Sequence, residues 1–379
     1  MATQAETTPT TQQVIHVGTR RSLLARVQAD EVVAQLRAAW PSHTFEIHAM
    51  ATAGDNNQTT ALYKFNDKAL WTQDLEVLLQ SGELDVIVHC LKDMPTQLPA
   101  ELALAGVTKR RDPRDGLVIK ASLVEQYKTL SDLPAGSIVG TSSLRRTAQL
   151  KKFYPHLKFA DVRGNVGTRL AKLDDPQSQY SATVLAVAGL DRLGMLNRVS
   201  MYLSKHNGGM LYAVGQGALG LEIRKNDTKM EGVLKPIICD RSMQAGLAER
   251  SLMRTLEGGC SVPIGVETEW VSKKTSLTST EASGVAVGVK PAENYEQLSG
   301  VAEDDTADGL TDELIMRAIV ISLDGQDAVE VEMRQRVTSI AEADEFGWNA
   351  AKKLVEKGAD KILEKITLDR GIIAAQGNA

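Results

Sequence analysis

Residues 14–40 read VIHVGTRRSLLARVQADEVVAQLRAAW. Val14–Val17 is a short apolar run with strand character. From Ser22 to Trp40, Ala25, Ala29, Val32 and Leu36 then recur on one face at helical spacing. Ser22 has the chemistry of an N-cap, its hydroxyl able to accept from a backbone N–H of the first turn. Strand, tight turn and amphipathic helix in that order form the first half of a βαβ unit. The turn also returns: Val17-Gly18-Thr19 before Ser22-Leu23 is echoed by Val139-Gly140-Thr141 before Ser143-Leu144. Chance produces matches this short, and so do two similar lobes that open alike and face each other across a cleft.

Working outward, the alternation of short apolar runs with amphipathic segments continues to about Leu234. Further strands are expected at Leu84–His89, Ser137–Gly140, Leu157–Val162 and Thr183–Ala188. One helix is expected from the cap Thr72 to near Gly82, and another after Thr141. Arg111–Gly116 has the composition of a hinge. The fold class is therefore α/β: two lobes with mainly parallel sheets around a cleft, plus a small α+β C-terminal domain. That domain shows a hairpin turning at Asp324-Gly325 between Ala318–Leu323 and Ala328–Met333, then a helix from about Trp348 to Ile366. The expected division is 14–114 with 216–236 for lobe 1, 115–215 for lobe 2 and 237–379 for the C-terminal domain. The last contains an acidic insertion near 272–313, and between Glu281 and Glu313 nine acidic residues meet a single Lys290.

The chain carries 43 Lys+Arg against 48 Asp+Glu, a net charge of −5, which argues against a general polyanion binder. Aromatic residues make up only 4%, too few for the stacking platforms of a nucleic-acid surface. Residues 1–13 hold neither an apolar run nor an Arg and read as a solvated tail. No run approaches the length of a membrane span. A soluble cytoplasmic protein is expected. Cysteines 90, 239 and 260 form no CxxC pair and no disulfide framework, and the six histidines show no HxxxH-like spacing, so no metal site is expected.

Cations mark the chemistry. Arg20, Lys92, Arg145, Arg146, Arg163 and Arg192 each fall at or just beyond the C-terminal end of an expected strand, the edge where open α/β sheets bind ligands. Between Thr141 and Lys172 eight basic residues face Asp161 alone. Arginine forks gathered in a cleft suit a ligand with many carboxylates. Asp93 follows Lys92 directly after the apolar LDVIVH run, where a carboxylate can orient an amine, stabilise a developing cation or transfer a proton. An exposed strand-end pair reads equally well from position alone. Cys260 sits in LEGGCSVP, beyond a helix ending near Leu256, where two glycines leave its thiol accessible. Cys90 and Cys239 read as ordinary buried cysteines. Gly215-Gln216-Gly217-Ala218-Leu219-Gly220 fits G-x-G-x-x-G, but Leu221–Arg224 alternates like a strand where a dinucleotide site needs a helix. Those glycines read as a flexible crossing between the lobes.

From Val14 to Gly265 the chain resembles the porphobilinogen deaminases, or hydroxymethylbilane synthases, of tetrapyrrole biosynthesis. The resemblance runs in order through GTRRSLLA, VHCLKDMPT, GTSSLRRTAQL, DVRGNVGTRLAKL, AVAGLDRLG, VGQGALGLE and LEGGCSVP. It implies two periplasmic-binding-protein-like lobes and a covalent dipyrromethane cofactor held by a thioether at Cys260. It also implies head-to-tail addition of four porphobilinogens with loss of ammonia, then hydrolytic release of hydroxymethylbilane. By the same resemblance Asp93 is the catalytic carboxylate. Lys92, Thr141, Ser143, Arg145, Arg146, Arg163 and Gln216 hold the cofactor. Arg20, Ser22, Lys68, Trp71, Arg169 and Arg192 bind substrate. A monomer is implied, its product passing to uroporphyrinogen-III synthase. Three departures stand out: Asn66-Asp67 where the family usually has two glycines, Ala69-Leu70-Trp71 where Gly-Leu-Phe is common, and Cys90 for the usual Ser. The rival reading is a two-lobed anion-binding protein, which needs the arginines but neither Asp93 nor Cys260.

Overall fold

The computed structural model describes residues 14–51, 72–256, 262–273 and 309–376. Its first sheet takes β1 (Val14–Arg20), β2 (Thr44–Met50), β3 (Val86–Cys90), β4 (Leu102–Val107) and β10 (Leu219–Arg224), in the order β2-β1-β3-β10-β4. A second sheet of β5 (Asp115–Ile119), β6 (Ile138–Gly140), β7 (Lys158–Ala160), β8 (Tyr180–Ala186) and β9 (Met201–Leu203) runs β7-β6-β8-β5-β9.

The two orders are the same. β1 lies parallel between β2 and β3, as β6 lies parallel between β7 and β8. The Val-Gly-Thr echo marks these two equivalent strands. Each sheet has one antiparallel strand, and it is the strand that has just crossed from the other lobe. β5 follows β4 into the second sheet, and β10 follows β9 back into the first.

The helices follow from local chemistry. α1 (Leu23–Ala39) starts at Ser22, whose side chain accepts from the Ala25 N–H, and buries Ala29, Val32, Val33 and Leu36. This stripe packs on Ile15, Val17, Phe45, Val86 and Val88 of the first sheet. Each buried Val, Leu, Ile or Phe among them contributes roughly 1.5–3 kcal/mol before entropy is counted. α2 (Gln73–Ser81) ends at Gly82 in the left-handed conformation. α3 (Leu144–Phe153) and α4 (Val166–Asp174) are capped by Ser143 and Asn165. The strand expected over Thr183–Ala188 ends at Ala186, because α5 (Val187–Arg192) begins at once; the strand expected over Leu157–Val162 is only Lys158–Ala160.

α6 (Thr228–Leu234) leads to α7 (Asp240–Thr255) and the C-terminal domain, where β11 (Ile264–Ser272), β12 (Leu310–Ile321) and β13 (Ala328–Arg336) form an antiparallel sheet. Leu310–Glu313, read as the end of the acidic insertion, is the start of β12; residues 274–308 lie outside the described residues. The single helix expected over Trp348–Ile366 is two. α8 (Ile340–Glu356) starts earlier because Ser339 caps it, and α9 (Ala359–Gln376) follows a break at Gly358, where φ is +96°. Among the described residues no helix is long and apolar enough to cross a membrane.

α7 is buried on several sides, with α8 against one of them. At their crossing a Cβ on Gly347 would lie 2.0 Å from the Ala248 carbonyl oxygen. Gly347→Ala should therefore force the helices apart and cost about 1–3 kcal/mol. The test is the urea midpoint, expected to fall at unchanged slope; an unmoved midpoint would contradict the close approach.

Candidate active site

In the first lobe β1 delivers Arg20 to the C-terminal edge of the sheet. Ser22 beyond it is engaged as the cap of α1, its Oγ accepting from the Ala25 N–H at 3.3 Å. β3 ends at Cys90, and a 3₁₀ turn, Leu91–Asp93, sets Lys92 and Asp93 just past the strand. Arg20, Ser22 and Asp93 line one pocket together with Gln28, Thr72 and Cys90. Gln28 is only 4% exposed and donates Nε2–H to Cys90 Sγ at 2.9 Å. Thr72 Oγ1 is buried with no hydrogen-bond partner among the described residues. Burial first, then Asp93, pushes the Cys90 pKa up against the opposing pull of Lys92, Gln28 and Arg192. The Cys90 thiol therefore stays protonated at neutral pH and is a poor nucleophile.

The second lobe offers its matching edge. After β6, Thr141 donates its N–H to the Ala160 carbonyl at 2.9 Å, and its Oγ1 accepts from the Ser143 N–H at 3.2 Å. Ser143 in turn caps α3, accepting from Arg146 N–H at 3.4 Å. Arg163 lies just beyond β7. Arg169, on α4, donates Nε–H to the Gly164 carbonyl at 2.7 Å. Its pKa is pushed down to about 10, first by burial and then by repulsion from Arg146 and Arg163, with Asp93 opposing. Asp93 thus bears on both edges: it lines the first lobe's pocket and its charge is felt by Arg169 of the second. Cations gathered this closely repel one another and favour a bound anion.

Arg145 and Arg146 meet on one buried carboxylate. Asp115 Oδ2 lies 2.8 Å from Arg145 Nη2, and Asp115 Oδ1 accepts from Arg146 Nη2 at 2.7 Å and from Gln216 Nε2 at 2.9 Å. Arg145 also donates to the Leu211 carbonyl and Arg146 to the Val184 carbonyl. Two cations against one anion leave an excess positive charge, and Arg145 Nε has no partner among the described residues. Arg192 is likewise turned inward, with Nε on Glu31 Oε2 at 2.9 Å and Nη1 on the Gly217 carbonyl at 3.3 Å; its buried Nη2 has no partner among the described residues.

The crossing that carries Gln216 is tightly packed, which corrects the expectation of flexibility. Gly215 (φ +72°) and Gly217 (φ +89°) take conformations that L side chains rarely adopt. A Cβ on Gly217 would lie 2.6 Å from the Arg111 carbonyl oxygen. Arg110 donates Nε–H to the Gln216 carbonyl and grips Glu249 of α7 through both terminal nitrogens, at 2.6 and 3.0 Å. Arg250, also on α7, donates to the Pro95 carbonyl at 2.6 Å, two residues past Asp93. The helix leading toward Cys260 is therefore fastened to both the crossing and the Asp93 turn. Cys260 itself, Lys68 and Trp71, with Asn66 and Asp67, lie outside the described residues.

Gln28, Glu31, Asp115 and Glu249 have no assigned role in the sequence alone, where Asp115 figures only within the hinge segment and Thr72 only as a helix cap. Burial alone would raise the Asp115 pKa, but Arg145, then Arg146 and Gln216, hold the carboxyl well below the usual carboxylate range. Its stabilising contribution is complete above the unfolded value near 4 and is lost as pH falls through the lower folded value. Asp115→Asn should cost about 3–5 kcal/mol, since it leaves two buried guanidinium groups facing a neutral amide. It should also flatten the loss of stability on acidification below about pH 4, where Asp115 of the unfolded chain takes up a proton that the folded one does not. Urea melts of both proteins across that range check it, and parallel pH curves would contradict it.

Comparison with known proteins agrees with this geometry. Residues 15–232 match the family model described as porphobilinogen deaminase, dipyromethane cofactor binding domain, and residues 243–281 match the porphobilinogen deaminase C-terminal domain. Curated relatives named porphobilinogen deaminase include those of Neurospora crassa (44% identity, 94% of this chain and 95% of that one) and Yarrowia lipolytica (45%, 94% and 94%). The Saccharomyces cerevisiae relative is 44% identical over 94% of this chain and 98% of its own. Among solved structures, the periplasmic aliphatic sulphonate binding protein SsuA from Escherichia coli aligns at 15% identity and a TM-score of 0.35, over 65% of this chain and 76% of that one, too distant to carry an argument. With its two-lobed cationic cleft and a match across nearly its whole length, the chain belongs to the porphobilinogen deaminase family.

Proposed function

We propose that this chain joins four porphobilinogen units head to tail on a covalently held dipyrromethane primer, releases ammonia at each addition, and hydrolyses the product to hydroxymethylbilane. The observation that supports the proposal is the position of Asp93, in the pocket with Arg20 and Ser22 and close enough to Arg169 of the other lobe to oppose the repulsion that Arg146 and Arg163 exert on it. An amine-bearing dicarboxylate needs both parts: cations for its carboxylates and a carboxylate for its aminomethyl group.

The donor set fits a dipyrromethane. Its carboxylates match the excess charge around Asp115 and the mutually repelling Arg163 and Arg169, and Arg145 Nε, without a partner among the described residues, marks unspent donor capacity on the second lobe. Cys260 would hold the group covalently, with Lys92, Thr141, Ser143, Arg145, Arg146, Arg163 and Gln216 around it. When bound, it supplies the pyrrole carbon on which the chain is extended. The protonated Cys90 thiol is a poor competitor for that attachment.

Arg20, Ser22, Lys68, Trp71, Arg169 and Arg192 would bind the incoming porphobilinogen. Asp93 then holds its ammonium-bearing carbon, assists departure of ammonia and stabilises positive charge on the pyrrole nitrogen. The division 14–114 with 216–236, 115–215 and 237–379 would assign these groups to three units, joined where Met243 packs on the first and Ile319 and Ile321 on the second. A cytoplasmic monomer whose product is handed to uroporphyrinogen-III synthase completes the reading.

Asp93→Asn keeps the side chain's size and removes its charge. It should retain the fold by circular dichroism yet lower kcat for ammonia release by about 10²–10⁴. A kcat within a few-fold of the parent would sink the catalytic assignment.

A further inference from the structure

We propose that His16, Glu46 and His48 form a binding site for a divalent transition-metal ion, with zinc as its reference occupant, at the outer edge of the first sheet. The parallel register pairs His16 with Glu46 and Gly18 with His48. Because side chains alternate along a strand, all three residues share one face. It is the face opposite Ile15, Val17 and Phe45, which pack against α1.

The donor atoms lie within 4.8 Å of one another. His16 Nδ1 is 2.9 Å from His48 Nε2 and 3.7 Å from Glu46 Oε2. Tetrahedral zinc, with ligand distances of about 2.0–2.2 Å, sets neighbouring donors roughly 3.3 Å apart. The first gap must open and the second close by a few tenths of an ångström, while the Glu46–His48 gap, within 4.8 Å, must come to the same spacing. Side chains 37% exposed at His16 and 54% at Glu46 have room for that adjustment. Two neutral imidazoles and one carboxylate give a singly negative donor set of the nitrogen and oxygen type that zinc takes, with water completing the coordination.

The site is separate from the cleft. His16 is four residues before Arg20, about 13 Å along an extended strand. A metal there would clamp the edge strand β2 to β1 and so brace the strand that delivers Arg20. Ligands from positions 16, 46 and 48 show no motif along the chain, and only the pairing of β1 with β2 joins them.

The test uses tag-free full-length protein in equilibrium dialysis against zinc, with His48→Ala and His16→Asn beside the parent and folding of each checked by circular dichroism. The parent is expected to bind one zinc per chain at micromolar free metal, and each variant to bind it at least tenfold more weakly with ammonia-releasing turnover unchanged. Cobalt(II) in the same site should show no thiolate-to-cobalt charge-transfer band. Absence of stoichiometric zinc in the parent would overturn the proposal and leave an N–H···N hydrogen bond between the imidazoles. So would full retention by folded His48→Ala, or a thiolate band that puts the metal on a cysteine.

Discussion

One buried carboxylate organises this molecule. Asp115 stands where the chain first enters the second lobe, and it receives Arg145 and Arg146 from that lobe and Gln216 from the return crossing. A charge in that position must be paired to be tolerated, so both crossings are drawn to the same point. Gln216 also donates to the Pro113 carbonyl, while Arg110 and the Gly215 N–H converge on Glu249 of α7. Two lobes and the third domain are thereby fastened around one polar core. The cleft edges that this core supports are where Arg20, Lys92, Asp93, Thr141, Ser143 and Arg163 emerge.

The lobes themselves were legible because their signal is local. A short apolar strand, a turn and a capped amphipathic helix occur twice with the same Val-Gly-Thr turn, and β1 and β6 occupy equivalent central places in their sheets. The arginines beyond strand ends were legible for the same reason. Asp115, Glu249 and Gln28 were not, because their importance lies in partners 31 to 139 residues away. The glycines of the crossing misled in another way: composition suggests freedom, whereas close backbone contacts and positive φ values fix them. Gly358 breaks a helix that periodicity alone would carry through.

Charge explains why the cleft invites a polycarboxylate but does not by itself name pyrrole chemistry. A binding module would need the same cations. What it would not need is a carboxylate among them, since Asp93 offsets part of the field that attracts the ligand. Nor would it need a helix, α7, tied at Arg250 to the segment following Asp93 and continuing toward a cysteine between glycines and a Val-Pro pair. Cys90, which lines the pocket with Asp93, is held protonated by burial and by Asp93, which makes it a poor nucleophile.

Covalent attachment at Cys260 is read from the mass of the denatured, intact protein, because denaturation removes everything held noncovalently. The expected increment equals two porphobilinogens less two ammonias, present on purification or after incubation with porphobilinogen, with peptide mapping locating it on Cys260. An unmodified mass after that incubation, or the same increment on Cys90 or Cys239, would contradict that attachment.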